Sequence, residues 1–154
     1  MLFRSLISRT FSKAYGLAGL RVGFGLAQAE LTDLLNRVRQ PFNVNSIAQA
    51  AAVAALQDQD FLDRSYQVNS QGLKRLQSAF EQMGLRYVPS FGNFVLVQVG
   101  DASTVYENLL RAGVIVRPVG NYGLPEWLRV SVGLEHENEA FLAALQQEIG
   151  RAHV

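Results

Sequence analysis

Four residues near the start of the chain, Thr10, Ser12, Lys13 and Arg21, are of types that can do chemistry together. They lie in the stretch SRTFSKAYGLAGLRVGFG, residues 8–25, where Lys13 is one of only two lysines in the chain and sits in a short polar turn between two apolar, β-prone runs. An amine becomes a useful nucleophile when its surroundings favour the neutral form, or when it is held as a Schiff base with a carbonyl cofactor. Thr10 and Ser12 offer hydroxyls that can donate to a phosphate, and the Arg21 guanidinium can hold two of its oxygens. Backbone N–H groups of the glycine-rich turn can add to that cradle. The order is not that of a Walker P-loop, in which the lysine follows the second glycine; here the lysine comes first. A lysine ahead of a phosphate cradle suits a cofactor with both an aldehyde and a phosphate, and pyridoxal phosphate is such a cofactor.

The elements that must position these residues follow from periodicity. Residues 6–9 and 21–26 read as short strands flanking the lysine turn, with Gly16, Gly19, Gly23 and Gly25 allowing close backbone approach. AELTDLLNRVRQ has Leu31, Leu34, Leu35 and Val38 at helical spacing and ends before Pro41. NSIAQAAAVAAL opens with Ser46 and Gln49 in capping-box spacing, and its alanines predict a buried helix. A longer helix is expected over residues 60–84, with Leu73, Leu76, Phe80 and Met83 on one face and Gly84 as its stop. Beyond it, NFVLVQV, GVIVRPV and EWLRVSVG read as strands. Thr104 with Glu107 predicts the cap of a helix that carries Val105, Leu109 and Leu110 and stops at Gly113, and ENEAFLAALQQE predicts a last helix with Phe141, Leu142 and Leu145 inward. Residues 86–148 thus alternate strand-like runs with two helices, an α/β pattern able to close its own core, whereas residues 6–56 are expected to be looser.

Composition sets outer limits. With 154 residues, 49% hydrophobic and 18% charged, the chain reads as one domain or two small ones. A net charge of +1 and scattered arginines form no basic stripe, so nucleic acid is not expected. No apolar run approaches the ~20 residues that span a bilayer, and the start lacks a signal core, so no membrane partner is expected. The absence of cysteine fits a cytoplasmic protein. His136 and His153 are too few and too far apart for a metal site, and His136 reads as a surface residue at a helix start. Trp127 reads as core or rim packing.

At RTFSKAYGLAGLRVG the sequence resembles the Schiff-base segment of the fold-type I, class I/II aminotransferases, and among them the histidinol-phosphate aminotransferases. PFNVNSIAQAAAVAAL, GNFVLVQVG, LLRAGVIVRPVGNYGLPEWLRVSVG and ENEAFLAAL resemble the same family in the same order, so the likeness covers residues 8–148. It implies that Lys13 is the Schiff-base lysine and proton carrier, that Thr10, Ser12 and Arg21 anchor the phosphate of pyridoxal phosphate, that Arg129 holds the anionic group of the amino substrate, and that Arg117 takes the phosphate of histidinol phosphate. Asn43 and Tyr15 lie in matching segments without an assigned role. The implied architecture is the C-terminal part of the large cofactor domain (residues 1–58), a connecting helix (59–85) and a small C-terminal α/β domain (86–148), in a parent expected to be a cytoplasmic homodimer acting on an amino donor and a 2-oxo acid acceptor.

The family also places an aspartate under the pyridine nitrogen and an aromatic residue over the ring, both ahead of the lysine strand, so the site in this chain is expected to be incomplete and the chain alone inactive. Residues 1–5 can be encoded by DNA whose complementary strand, read in another frame, encodes residues 149–153; both ends, 1–5 and 149–154, are therefore expected to be artefactual. Two other functions stay open: an aromatic-amino-acid aminotransferase or phosphate-amine lyase of the same fold, and the cofactor-sensing aminotransferase-like domain of a transcription regulator.

Overall fold

The computed structural model describes residues 5–152, and the expectations for residues 1–4 and 153–154, His153 among them, fall outside these. The chain divides into two compact units, Met1–Tyr66 and Gln67–Val154, so that the division falls inside the long helix α3 (Gln59–Gln82) rather than before it.

In the first unit β1 (Ile7–Thr10) and β2 (Gly23–Leu26) form an antiparallel pair from Ile7↔Leu26 to Thr10↔Gly23. A Cβ on Gly23 would stand 2.6 Å from the Arg9 carbonyl oxygen, so the pairing depends on that glycine. Helix α1 (Ala29–Val38) has the expected spacing but buries none of its residues; Leu34, Leu35 and Val38 are exposed. It stops where Arg39 turns extended, two residues ahead of Pro41. Helix α2 (Ser46–Gln57) departs from expectation twice. Its N-cap is Asn45, whose Oδ1 accepts from the Ala48 N–H at 2.8 Å, so Ser46 is the first helical residue instead of the cap. It is also not a buried helix: only Ala48 and Ala52, one turn apart, are enclosed, and Ile47, Val53 and Leu56 are exposed. The enclosed core of this unit is small, consisting of Phe11, Val22, Ala48 and Ala52 with Tyr15, Leu17, Leu20, Val44 and Ala55 around them.

The second unit contains the rest of α3, then β3 (Tyr87–Val88), β4 (Phe94–Gln98), α4 (Ala102–Arg111), β5 (Arg117–Val119), β6 (Leu124–Ser131) and α5 (Glu135–Ala152). The sheet order is β3-β4-β6-β5 with every pair antiparallel. Because β4 and β5 both flank β6, they run parallel to each other and are linked through α4, a split β-α-β arrangement. Val95, Val97, Leu128 and Val130 point to one face and pack against Leu73, Leu76 and Phe80 of α3, Leu109 of α4, and Phe141, Leu142 and Leu145 of α5. Gly72 lets α3 approach this unit closely, since a Cβ there would overlap Val132 Cγ1.

Both expected glycine stops operate by the same mechanism. Gly84 and Gly113 have φ of +69° and +80°; the N–H groups of Leu85 and Gly84 return to the carbonyls of Phe80 and Glu81, and those of Val114 and Gly113 to Leu109 and Leu110. The cap of α4 is Asp101, not Thr104. Its carboxylate accepts from the Thr104 N–H at 3.1 Å and from the Thr104 hydroxyl at 2.7 Å, a stronger acceptor three residues earlier. Of the apolar residues this helix carries, Leu109 is fully enclosed and Leu110 is 40% exposed. Helix α5 continues past Glu148 to Ala152, and Ile149, in the tail expected to be artefactual, packs on the core.

Two predictions follow from this contrast between the units. Hydrogen exchange on the chain will show protection concentrated from Gly72 onward and little across β1, β2 and the lysine turn, where every strand residue is exposed; uniform protection would refute the contrast. The Asp101 carboxyl is held below its usual range by Thr104, and that of Glu139 by the Arg75 guanidinium. A carboxyl lowered in the folded state contributes stability above its unfolded pKa and loses it as pH falls through the folded value. Thermal unfolding of the second unit will therefore shift downward as pH drops below the usual carboxylate range, and the double variant Asp101→Asn, Glu139→Gln will flatten that profile.

Candidate active site

Around Lys13 the backbone is closely tied. The Phe11 N–H donates to the Val22 carbonyl at 3.2 Å, extending the β1–β2 pairing by one step, so Ser12 and Arg21 stand at the next position across the ladder. The Leu17 N–H closes back to the Phe11 carbonyl, and the Gly16 N–H to the Lys13 carbonyl, both at 2.9 Å. Phe11 anchors the turn: it is 4% exposed and its ring lies 4.9 Å from Tyr15 and 5.9 Å from Phe24. Tyr15, which carried no assigned role, is thus part of the anchor.

Thr10 accepts the Ser12 N–H on its Oγ1 at 3.0 Å, which leaves its hydroxyl proton available to a ligand. Ser12 is half-buried and Lys13 exposed, and among the described residues Lys13 Nζ has neither a hydrogen-bond nor an ion-pair partner. Arg21, expected as the first residue of a strand, instead adopts a left-handed conformation (φ 52°, ψ 47°) after a 3-10 turn at Ala18–Leu20, and its Nη1 donates to the Ala18 carbonyl at 3.0 Å. For a residue with a Cβ that conformation costs on the order of 1–3 kcal/mol and is commonest where function requires it. No aspartate or glutamate precedes Glu30 in the sequence, so Arg9, Lys13 and Arg21 share a segment without an internal countercharge. A donor-rich, uncompensated segment of this kind fits an anionic cofactor that also offers a carbonyl to an amine.

The second unit presents the other pair. Arg117 and Arg129 are direct cross-strand partners of β5 and β6, and Leu96 of β4 is the next residue in the same row. These side chains lie on the face opposite the core, because the alternate residues Val95, Val97, Leu128 and Val130 point inward. Arg117 is exposed and Arg129 half-buried, and neither is in an ion pair among the described residues. Arg129 Nε is buried without an acceptor, and its Cζ lies 5.2 Å from the centroid of the Phe94 ring. Sequence reasoning passed over Phe94; the signal available was its even spacing to Leu96 in a strand whose odd-numbered residues form the core. Trp127, expected as core or rim packing, is half-buried with the Arg86 guanidinium 6.0 Å from its ring.

Residues 4–145 match the family model of aminotransferase class I and II, and the chain belongs to that family. It is 65% identical over 151 residues to histidinol-phosphate aminotransferase 2 of Ralstonia nicotianae, covering 96% of this chain and 40% of that protein. It is 64% identical over 148 residues to histidinol-phosphate aminotransferase 1 of Cupriavidus pinatubonensis, covering 94% and 39%. The solved histidinol-phosphate aminotransferase of Sinorhizobium meliloti, in complex with pyridoxal-5′-phosphate, matches with a TM-score of 0.85 at 34% identity over 96% of this chain and 41% of that one. The fold is accordingly that of the fold-type I α/β aminotransferases, and the chain spans about 40% of the length of the curated relatives it matches. Among the described residues no helix is long and apolar enough to cross a membrane.

Of the two glycines assigned to turn geometry, only Gly16 requires it. Its φ is +69° and a Cβ would touch the Phe61 ring at 3.4 Å, whereas a Cβ on Gly19 would meet nothing within 4 Å. Gly16→Ala is expected to destabilise the lysine turn by about 1–2 kcal/mol, measured as displacement of the Leu17 amide resonance toward its unfolded position, while Gly19→Ala leaves that resonance unmoved. Equal effects would show that the turn does not depend on its left-handed position.

Proposed function

We propose that the whole protein to which this chain corresponds is a pyridoxal-phosphate-dependent aminotransferase. It exchanges an amino group between histidinol phosphate or imidazole-acetol phosphate and glutamate or 2-oxoglutarate, in histidine biosynthesis. The observation that carries this reading is the Arg117↔Arg129 row: two guanidiniums placed opposite one another with no carboxylate partner. Like charges in direct cross-strand register repel, so the arrangement is stabilised by a ligand whose anionic groups lie between or over them. An amino substrate with a phosphate and an acceptor with two carboxylates both meet that requirement in turn. The identities of 65% and 64% to histidinol-phosphate aminotransferases support the same substrates.

In this reading the cofactor phosphate is held by the Thr10 and Ser12 hydroxyls and by the free guanidinium nitrogens of Arg21. Pyridoxal phosphate, when bound, supplies an electron sink for the substrate carbon that bears the amino group. Lys13 contributes its Nζ, first to hold the carbonyl end of the cofactor and then to carry the proton away from the substrate carbon that bears the amino group. Its exposed position on a turn fixed through Phe11 lets Nζ move while the backbone stays in place. Arg129 holds the anionic group of the amino substrate and so orients the reacting carbon, and Arg117 takes the phosphate of histidinol phosphate. We assign residues 1–58 to the end of the cofactor domain, 59–85 to a connecting helix and 86–148 to the small domain, and the whole protein to a cytoplasmic homodimer.

The test is made in the whole enzyme. Lys13→Ala is expected to abolish turnover and the visible absorbance of the lysine-bound cofactor, whereas Lys74→Ala, on the exposed side of α3, leaves both unchanged. Arg21→Ala will weaken cofactor retention, since a charge-assisted hydrogen bond contributes about 1.5–3 kcal/mol, and Arg129→Ala will chiefly raise KM for both substrates. Retained absorbance and turnover in Lys13→Ala, or loss of cofactor to the same degree in both arginine variants, would overturn these assignments.

A further inference from the structure

Arg129 is oriented in a way that the hydrogen bonds of the second unit do not explain. Its Nε is buried and lacks an acceptor among the described residues, and no carboxylate pairs with it, so no polar contact fixes the plane of the guanidinium. The residue directly opposite, Arg117, repels it. A guanidinium with a repelling neighbour and no anchor would swing into water, yet this one is half-buried.

What it has instead is an aromatic ring. At 5.2 Å from the ring centroid, the Arg129 Cζ is within the range at which the electron-rich face of Phe94 attracts a cation. Register explains the placement: Leu96 pairs with Arg129 and Phe94 with Ser131, so Phe94 is the diagonal neighbour of Arg129 on the outer face of the sheet. The ring contributes little to the core. Phe94 is 38% exposed, whereas the next residue, Val95, is fully enclosed.

We infer that Phe94 is a positioning residue for the substrate anion: its ring fixes the plane of the Arg129 guanidinium and keeps water from one side, so that Nε–H and the terminal N–H groups form a preset fork for two oxygens of a carboxylate or phosphate. This rests on the assignment of Arg129 to the substrate anion made above. A preset fork loses less side-chain freedom on binding, and a guanidinium shielded on one face attracts an anion through a lower effective dielectric. The orphaned Nε–H is then the donor left for the ligand, which accounts for a buried polar atom that would otherwise be a pure cost. Phe94 acts on anion binding alone and leaves proton transfer at Lys13 Nζ untouched.

The experiment follows the Nε–H resonance of Arg129 in the full chain labelled at arginine, assigned by its disappearance in Arg129→Lys, during titration with inorganic phosphate and with glutarate. The wild-type resonance is expected to carry an upfield ring-current shift that is lost in Phe94→Leu and kept in Phe94→Tyr. The Kd for either anion is expected to rise about three- to tenfold in Phe94→Leu and to stay within about twofold in Phe94→Tyr. In the whole enzyme the same Phe94→Leu change raises KM for donor and acceptor by a common factor while kcat holds. An unchanged Kd in Phe94→Leu, or a fall in kcat with KM unaltered, overturns the positioning role and leaves Arg129 as the anion residue. If neither anion moves the Arg129 resonance in any variant, the assignment of Arg129 fails and the inference with it. Should Phe94→Leu lose its folded amide spectrum, Phe94→Met, equally apolar and without a ring, is held to the same outcomes.

Discussion

The pairing of β6 with β4 on one side and β5 on the other determines both the core and the candidate site of the second unit. Strand side chains alternate with a period of two. The register that pairs Val95 with Val130 and Val97 with Leu128 therefore sends Leu96, Arg129 and Arg117 to the opposite face in one row. A slip of β6 by one residue would turn the Arg129 guanidinium toward Leu76, Phe80 and Leu145 and put the enclosed Leu128 and Val130 into water. Burying an unpaired charge is far more costly than losing a few contacts, so Arg129 itself enforces the register that positions it.

The first unit relies on a different device. Its strands bury nothing, and its enclosed core amounts to Phe11, Val22, Ala48 and Ala52, against the much larger cluster around Phe80 and Leu145. What gives the lysine turn a definite shape is therefore mostly backbone: the Phe11–Val22 and Leu17–Phe11 hydrogen bonds, the left-handed Gly16 and Arg21, and the close pass of Gly23 over the Arg9 carbonyl. Phe11 joins the two levels, since it donates and accepts in the turn while its side chain is the largest member of the small core. An amine in the role proposed for Lys13 is served by such a division. The chain at Lys13 is fixed by neighbours in sequence, and its side chain has no partner among the described residues.

Much of this was legible in the sequence, and the misses have physical reasons. Glycine stops are readable because a left-handed position strongly favours a residue without a Cβ, so Gly84 and Gly113 could be placed in advance. Caps were missed by position because several neighbouring residues can accept an N–H. Asn45 stands beside Ser46, and Asp101 three residues before Thr104, and only the backbone conformation decides between them. Helix α2 was taken as buried because alanine is small and apolar, but enclosure requires something on every side, and only the Ala48–Ala52 edge has it. In the site, types and spacing pointed to Lys13, Ser12 and Arg21. The direct opposition of Arg117 and Arg129 was not readable, because β5 is only three residues long and its pairing with β6 is irregular at Pro118 and Val119. A run of apolar letters such as VIVRPV does not encode an offset of that kind.

The arginines of the second unit show how the same side chain is used in two ways. Arg75 of α3 meets Glu139 of α5 with two hydrogen bonds, at 2.6 and 2.8 Å, in a bidentate pair exposed to water. That pair neutralises the Arg75 charge and occupies one edge of its guanidinium, and its contribution to stability is small because both partners are solvated. Arg117 and Arg129 have no such partner, although acidic residues are present in the unit and one of them, Glu126, is engaged by Gln98 nearby in β4. Placing a carboxylate in the row would have relieved the repulsion at the expense of the site, since a substrate anion would then have to displace it. The uncharged ring of Phe94 lies against one of the two cations without neutralising it. An uncharged partner is the only kind that can hold a guanidinium in place and still leave its full charge for a ligand.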